Sequence, residues 1–169
     1  LIANNTQIFL KYRKPFTDLQ SKNKINWLAI SAPVDGWTEK VFPDVLPEKR
    51  TAKFWDTIFE ICRVKSKDPI ATWKDHINQL AIRSNYLTKE QYLSLKLRGP
   101  GTDLKIGLPK GHIWRSAGFK SQNGIKYIAN IPTEEIFTTP HKDMTEGVVT
   151  ATKPLPVGVL IEDFTLNFS

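Results

Sequence analysis

Apolar residues recur at helical spacing in two successive segments of this chain. Within residues 48–64 one set falls on a single helical face, at Ala52, Trp55, Ile58, Phe59 and Cys62. A second set follows the helix-start signal Asp68–Pro69, at Ile70, Trp73, Ile77, Leu80 and Ala81. We therefore predict two amphipathic helices with buried apolar faces. The side chains expected to be largely buried are Trp55, Ile58, Phe59, Trp73, Ile77 and Leu80.

Shorter segments on either side of these helices predict a strand and two further helices. Residues 25–32 form an apolar run that ends at Pro33, which is typical of a buried strand in a parallel sheet. We expect the two amphipathic helices to pack against this strand. A short helix is expected between Asp35 and Phe42. Residues 88–91 match a capping box, which predicts the start of another short helix.

The pattern changes near Leu95, where alternation replaces helical spacing. Residues 95–98 and 104–108 alternate between apolar and polar side chains, and the turn formers of residues 99–103 separate them. This arrangement predicts a β-hairpin. The glycine-rich turn lacks the Gly-Lys-Ser/Thr ending of a phosphate loop, so we interpret it as a turn. Further strands are predicted at residues 127–131, 147–151 and 157–168.

These elements predict an α/β fold class with a change of character along the chain. We expect residues 1–94 to form an α/β region with a parallel sheet and helices, with a domain boundary near residue 94. Residues 95–169 are expected to begin a mostly β domain. The chain starts at Leu1, its one methionine is Met144, and its last residues are strand-like. We therefore expect an internal fragment of a longer protein.

Composition and charge narrow the classes of partner. The chain has 169 residues and a net charge of +7, but its lysines are interspersed with acidic residues and its longest basic cluster is Lys11–Lys14. We therefore expect no nucleic-acid partner. No apolar run approaches the roughly 20 residues that span a bilayer, so no membrane association is expected. The single cysteine, Cys62, predicts a buried thiol in a reduced, cytoplasmic protein.

Two adjacent carboxylates, Glu134 and Glu135, follow a short apolar run and lie between Pro132 and Pro140. They could be a solvated surface pair, or the first turn of a helix that Thr133 caps. They could also be functional acids mounted on a loop. Carboxylates are hard ligands that suit hydrolytic metal ions, and two side by side repel each other unless a cation lies nearby. Residue types alone leave these alternatives open.

The three histidines add little to this assignment. No His-Glu-x-x-His pattern occurs, which excludes the helix of a one-metal protease. His76 lies within the second amphipathic helix and is interpreted as structural. His112 is expected to begin a strand. His141 is close to Glu135 in sequence and could line a cleft beside it.

Several blocks of the chain together resemble a known family. The most specific are Ile-Pro-Thr-Glu-Glu at residues 131–135 and Thr-Lys-Pro-Leu at residues 152–155. Supporting blocks include Gly-Thr-Asp-Leu at residues 101–104 and Gly-Leu-Pro-Lys at residues 107–110. In this order the blocks resemble the AmpS/PepS/aminopeptidase T family of two-metal aminopeptidases, and the likeness runs from about Trp27 to the end.

The resemblance implies that Glu135, the second Glu of Pro-Thr-Glu-Glu, is a metal ligand. Glu134, Thr133 and His141 would then support that ligand or line the cleft. The cofactor implied is two divalent metal ions (zinc, cobalt, manganese or magnesium), which activate water, polarise the scissile carbonyl and hold the free amino group of the substrate. Residues 1–94 would be the C-terminal part of an N-terminal α/β domain, and residues 95–169 the first part of the metal-binding catalytic domain.

The resemblance also implies peptide substrates and a homodimer. The remaining ligands would come from segments downstream of this chain, so the 169 residues alone are expected to be inactive. The alternative is a non-enzymatic α/β-plus-β binding module for an anionic partner. Metal-dependent release of an N-terminal residue by the longer protein distinguishes the two hypotheses.

Overall fold

The structure is a computed structural model that describes residues 2–156 and 159–169. It has an α/β fold with four described helices: α1 (Ile2–Ser21), α2 (Asp35–Val41), α3 (Pro47–Ile61) and α4 (Pro69–Glu90). The chain divides into two compact units. The helical unit comprises residues 23–83 and 116–136, and the sheet unit comprises the described residues of 1–22, 84–115 and 137–169. The expected domain boundary near residue 94 stays a prediction.

The described strands form one four-stranded sheet and three short pairs. In chain order they are β1 (Ala29–Ile30), β2 (Ser94–Gly99), β3 (Thr102–Gly107), β4 (Phe119–Lys120), β5 (Lys126–Tyr127), β6 (Asn130–Ile131), β7 (Thr145–Thr150), β8 (Leu155–Pro156), β9 (Leu160–Ile161) and β10 (Thr165–Phe168). The larger sheet is antiparallel in the order β10-β7-β3-β2. β1 and β6 pair in parallel, whereas the pairs β4-β5 and β8-β9 are antiparallel.

The helices largely follow the apolar pattern, with two differences. α2, α3 and the start of α4 at Pro69 confirm the predicted helices. The predicted new helix at Thr88 is wrong, because α4 continues to Glu90 and the Thr88 hydroxyl instead accepts the backbone N–H of Trp114 at 2.9 Å. α1 was not among the predicted helices. It is continuous through Pro15, although proline is unfavourable in a helix interior.

The core of the helical unit lies on one face of α3. Phe54, Ile58 and Cys62 are buried together, and Phe42, Trp55 and Ile131 pack against them. The ring of Trp37 meets that of Phe54 edge to face, with centroids 4.6 Å apart. Because Ile131 ends β6 and contacts this core, the loop that follows β6 starts from a fixed point.

Two predictions of burial in this unit are wrong, the one for Phe59 and the one for the strand at residues 25–32. Ile58 and Leu80 are buried, but Phe59 is 42% exposed because it lies at the edge of the stripe, where its ring stacks on that of Trp55. Trp55, Trp73 and Ile77 are half-buried. The strand expected at residues 25–32 is only two residues long and exposed, since β1 has one partner strand in the described unit.

We expect Leu80→Ala to lower the free energy of unfolding by about 3 kcal/mol, because truncating a fully buried leucine leaves a cavity. Leu80 is only 2% exposed. Phe59→Ala should cost clearly less, since much of that ring already faces water. Urea denaturation of both variants measures the difference, and an equal or larger loss for Phe59→Ala would contradict this description of the core.

The sheet unit confirms the predicted hairpin. β2 and β3 pair from Ser94↔Gly107 to Gly99↔Thr102, and the turn at Pro100–Gly101 places Gly101 at φ +70°. Proline followed by a glycine with positive φ is typical of a type II turn, so this segment is not a phosphate loop. β7 matches the strand predicted at residues 147–151, and β5 and β6 replace the single strand predicted at 127–131. Of the strand predicted at 157–168, residues 157–158 lie outside the described ranges.

Among the described residues, no helix combines the length and apolarity that crossing a bilayer requires.

Candidate metal centre

The Glu134–Glu135 pair lies on a loop that begins directly after β6. The Ile131–Pro132 peptide bond is cis, and residues 133–136 have no regular secondary structure. The first-turn-of-a-helix interpretation is therefore wrong. Asn130, Pro132, Thr133, Glu134 and Glu135 line an open pocket of ≈ 420 Å³. The loop thus presents both carboxylates at a concave surface of the helical unit.

Two side chains hold the first half of this loop. The carbonyl oxygen of buried Thr133 accepts a hydrogen bond from Nε2 of His76 at 2.7 Å. Oε1 of Glu134 accepts a hydrogen bond from Nη2 of Arg63 at 2.7 Å. Oε2 of Glu134 also lies 3.3 Å from Nε2 of His76. The charge of Glu134 is therefore compensated within the protein, although its side chain is 60% exposed.

Glu135 has a different environment from its neighbour. Its side chain is exposed, and it makes no hydrogen bond or ion pair within residues 2–156 and 159–169. A carboxylate beside a compensated carboxylate, with no cation of its own, is suited to bind an external cation. The two adjacent acids thus divide into one that is held by the protein and one that is open to a ligand.

This arrangement fits one ligand of a metal centre and not a whole centre. In the described part of the chain, no group of three or more His, Cys, Asp and Glu side chains could hold a metal ion. Glu135 supplies a hard oxygen donor at an open pocket, which is the chemistry that divalent metals of hydrolases use. The residues present therefore fit a divalent metal as a partial ligand set.

The other predicted site residues lie elsewhere or act differently. His141 belongs to the sheet unit, where its Nδ1 accepts the backbone N–H of Asp143 at 3.2 Å. Its role beside a cleft stays a prediction. His112 does not begin a strand, because its buried ring bonds to the carbonyl oxygen of Pro109 at 3.0 Å within a turn. His76 has the structural role that was expected, because it bonds to the backbone of Thr133. That bond holds the loop that carries Glu134 and Glu135, which we call the site loop.

Arg63 holds Glu134 from 71 positions away and was not among the predicted site residues. No local motif marks this residue, because the contact depends on the tertiary fold. Neighbouring Cys62 is not a candidate nucleophile: burial raises the pKa of its thiol, opposed by the charge of Arg63.

Comparison with known proteins decides the family. The profile of the family described as thermophilic metalloprotease (M29) matches residues 2–169. The chain belongs to the M29 metalloprotease family. It is 43% identical over 143 residues to Aminopeptidase 2 of Geobacillus stearothermophilus, covering 84% of this chain and 35% of that protein. It is 40% identical over 147 residues to Aminopeptidase AmpS of Bacillus subtilis (strain 168), covering 86% and 36%.

A solved structure is similar in fold. Wild-type AmpT from Thermus thermophilus superimposes with a TM-score of 0.80 and 32% sequence identity, covering 95% of this chain and 39% of that chain. This chain of 169 residues therefore spans somewhat more than a third of the length of these relatives. The resemblance to the aminopeptidase family is confirmed, as is the α/β fold class. Membership of a metalloprotease family also implies a divalent metal cofactor.

Proposed function

We propose that the longer protein expected around this chain is a metal-dependent aminopeptidase that hydrolyses N-terminal residues from peptides. The observation that carries the proposal is the open carboxylate of Glu135 in the Pro-Thr-Glu-Glu segment of an M29 chain. The named relatives are aminopeptidases, which supports the reaction class. No comparison favours the alternative of a non-enzymatic binding module.

In this proposal Glu135 is a direct metal ligand, and Glu134 and Thr133 keep it in place. When bound, divalent metal supplies Lewis-acid activation of water and of the scissile carbonyl. Buried Thr133 fixes the backbone one residue before the acid pair. Compensated Glu134 adds little net negative charge beside the ligand, since Arg63 bonds to its carboxylate. The open pocket leaves Glu135 accessible to metal and substrate.

The finer properties of the longer protein belong to the same proposal. We propose two divalent metal ions, chosen among zinc, cobalt, manganese and magnesium, and a homodimer, on the basis of the family resemblance. A cytoplasmic location is supported by Cys62, a free and buried cysteine. The mixing of acids with lysines supports the absence of a nucleic-acid partner.

A pair of peptides that differ only at the amino terminus tests this function. The longer protein should release the first residue of a short peptide with a free amino group, and should leave the N-acetylated peptide intact. Chelation should abolish release, and added cobalt or zinc should restore it. Release that is unaffected by complete removal of metal, or equal cleavage of the blocked peptide, would contradict the proposal.

We expect the 169-residue chain by itself to release no N-terminal residue from such peptides. Its described residues contain no cluster of three metal ligands, whereas catalytic sites use about three protein ligands. Turnover by the purified chain with added zinc or cobalt measures this directly. Robust metal-dependent turnover would show that the chain assembles a complete centre.

A further inference from the structure

Arg63 occupies a backbone position that arginine rarely takes. α3 ends in a Schellman motif, in which the N–H of Arg63 bonds to the Glu60 carbonyl at 2.9 Å and the N–H of Val64 to the Phe59 carbonyl at 2.8 Å. Arg63 has a φ of +60°, in the left-handed region. Glycine is the usual residue at this position, because a side chain is strained there.

The side chain of Arg63 joins three elements of the helical unit. Its guanidinium lies over the ring of Trp73 in α4, 5.1 Å from the centroid. One nitrogen, Nη2, donates to Glu134 on the site loop at 2.7 Å and lies 3.4 Å from Nδ1 of His76. The guanidinium is thus held by stacking and directed at the loop.

The hydrogen-bond partners also fix the proton position on His76. The Thr133 carbonyl oxygen can only accept, so Nε2 of His76 carries the hydrogen in the 2.7 Å bond. Arginine can only donate, so Nδ1 of His76 presents its lone pair to Arg63. In each bond among Arg63, His76, Thr133 and Glu134, a donor therefore faces an acceptor. We call the side chains of Arg63 and His76, with these bonds, the Arg63–His76 clamp.

We propose that Arg63 and His76 are positioning residues that orient Glu135 for metal binding through their bonds to Glu134 and Thr133. This inference rests on the proposed function, because it takes Glu135 as the ligand. A purely stabilising ion pair explains the arrangement less well. The side chain of Glu134 is 60% exposed, and exposed ion pairs contribute little to stability. Strained residues that persist in a fold are often found at functional sites.

Arg63→Gly separates positioning from stability because the two roles predict opposite signs. Glycine relieves the backbone strain at the end of α3, so the melting temperature of the longer protein should stay the same or rise. The affinity for Zn²⁺, measured by competition with a chromophoric chelator, should fall about 10- to 100-fold, the range seen when partners of metal ligands are removed. Arg83→Ala is the matched control. The side chain of Arg83 is exposed on α4 and makes no hydrogen bond or ion pair with the described residues. Its variant should therefore bind Zn²⁺ like the wild type.

His76 variants give a second test that leaves the end of α3 unchanged. His76→Leu removes the donor to Thr133 and should lower Zn²⁺ affinity about 10-fold. His76→Gln retains an N–H and should recover much of that loss. Backbone ¹⁵N relaxation of the metal-free protein should show lower order parameters at residues 133–136 in Arg63→Gly and His76→Leu, with the α3 core unchanged.

The outcomes separate the inference from the function on which it rests. Suppose that the wild type binds Zn²⁺ and that both variants keep its affinity and its order parameters at residues 133–136. This result would overturn the positioning role and leave the proposed function standing. A wild-type protein that binds none of Zn²⁺, Co²⁺, Mn²⁺ and Mg²⁺ would overturn both. If it binds another of these metals in place of Zn²⁺, the variants are compared with that metal. If Arg63→Gly fails to fold, the His76 pair decides: equal affinities for His76→Leu and the wild type would refute the positioning role.

Discussion

Replacing Glu135 with alanine should reduce aminopeptidase turnover of the longer protein by at least about 10³-fold. In the proposed assignment Glu135 is a direct metal ligand. The effect of its loss should therefore exceed the 10- to 100-fold effects of residues that only support a ligand. The fold should survive, because Glu135 is exposed and bonds to no residue of the described ranges. Steady-state kinetics, metal content and far-UV circular dichroism on the same preparation measure the three expectations.

A matched variant, Glu39→Ala, controls for loss of one surface carboxylate. The side chain of Glu39 is exposed on α2 and makes no hydrogen bond or ion pair with the described residues. Its variant should therefore retain full turnover and full metal content. If Glu135→Ala keeps near-normal turnover with full metal content, Glu135 is not a ligand. Glu134 would then be the next carboxylate to test.

Replacing Gly147 with alanine should lower the free energy of unfolding by about 4 kcal/mol. Gly147 lies in β7 opposite Leu104 and has a φ of +117°, which L residues rarely adopt. The added methyl group would also overlap the carbonyl oxygen of Asp103 on β3. Backbone strain and overpacking each cost about 1–3 kcal/mol, and here they act together.

Chemical denaturation compares this variant with Gly36→Ala. Gly36 lies in α2, and a methyl group there would meet nothing within 4 Å. The control should be neutral or slightly stabilising, since alanine favours helices more than glycine does. A Gly147→Ala variant as stable as the wild type would show that β3 and β7 do not approach as closely as described.

Local signals in the sequence were sufficient for elements that depend on nearby residues. Pro69 marks the start of α4, and Pro100–Gly101 marks the turn of the β2–β3 hairpin. Both depend on backbone preferences that act over a few residues. The predicted helix at Thr88 failed because a tertiary bond to Trp114 uses the hydroxyl that a capping box requires.

Local sequence signals did not predict which apolar side chains are buried, or that Arg63 bonds to Glu134. Phe59 and Trp55 have the same helical spacing as true core residues, but their exposure depends on which elements cover that face. Glu134 and Glu135 are chemically identical in sequence. The fold distinguishes them through Arg63, whose position relative to the loop is set by the end of α3 and by Trp73.

The most direct test of the metal-ligand assignment is anomalous diffraction at the zinc edge, from crystals of the longer protein grown with zinc. The proposal is that Glu135 coordinates a divalent metal ion of the longer protein. We expect an anomalous peak at about 2.0–2.2 Å from a carboxylate oxygen of Glu135, the usual zinc–oxygen distance. Glu134 should remain bonded to Arg63 in the same crystals. A fully occupied zinc site that Glu135 does not contact would contradict the account.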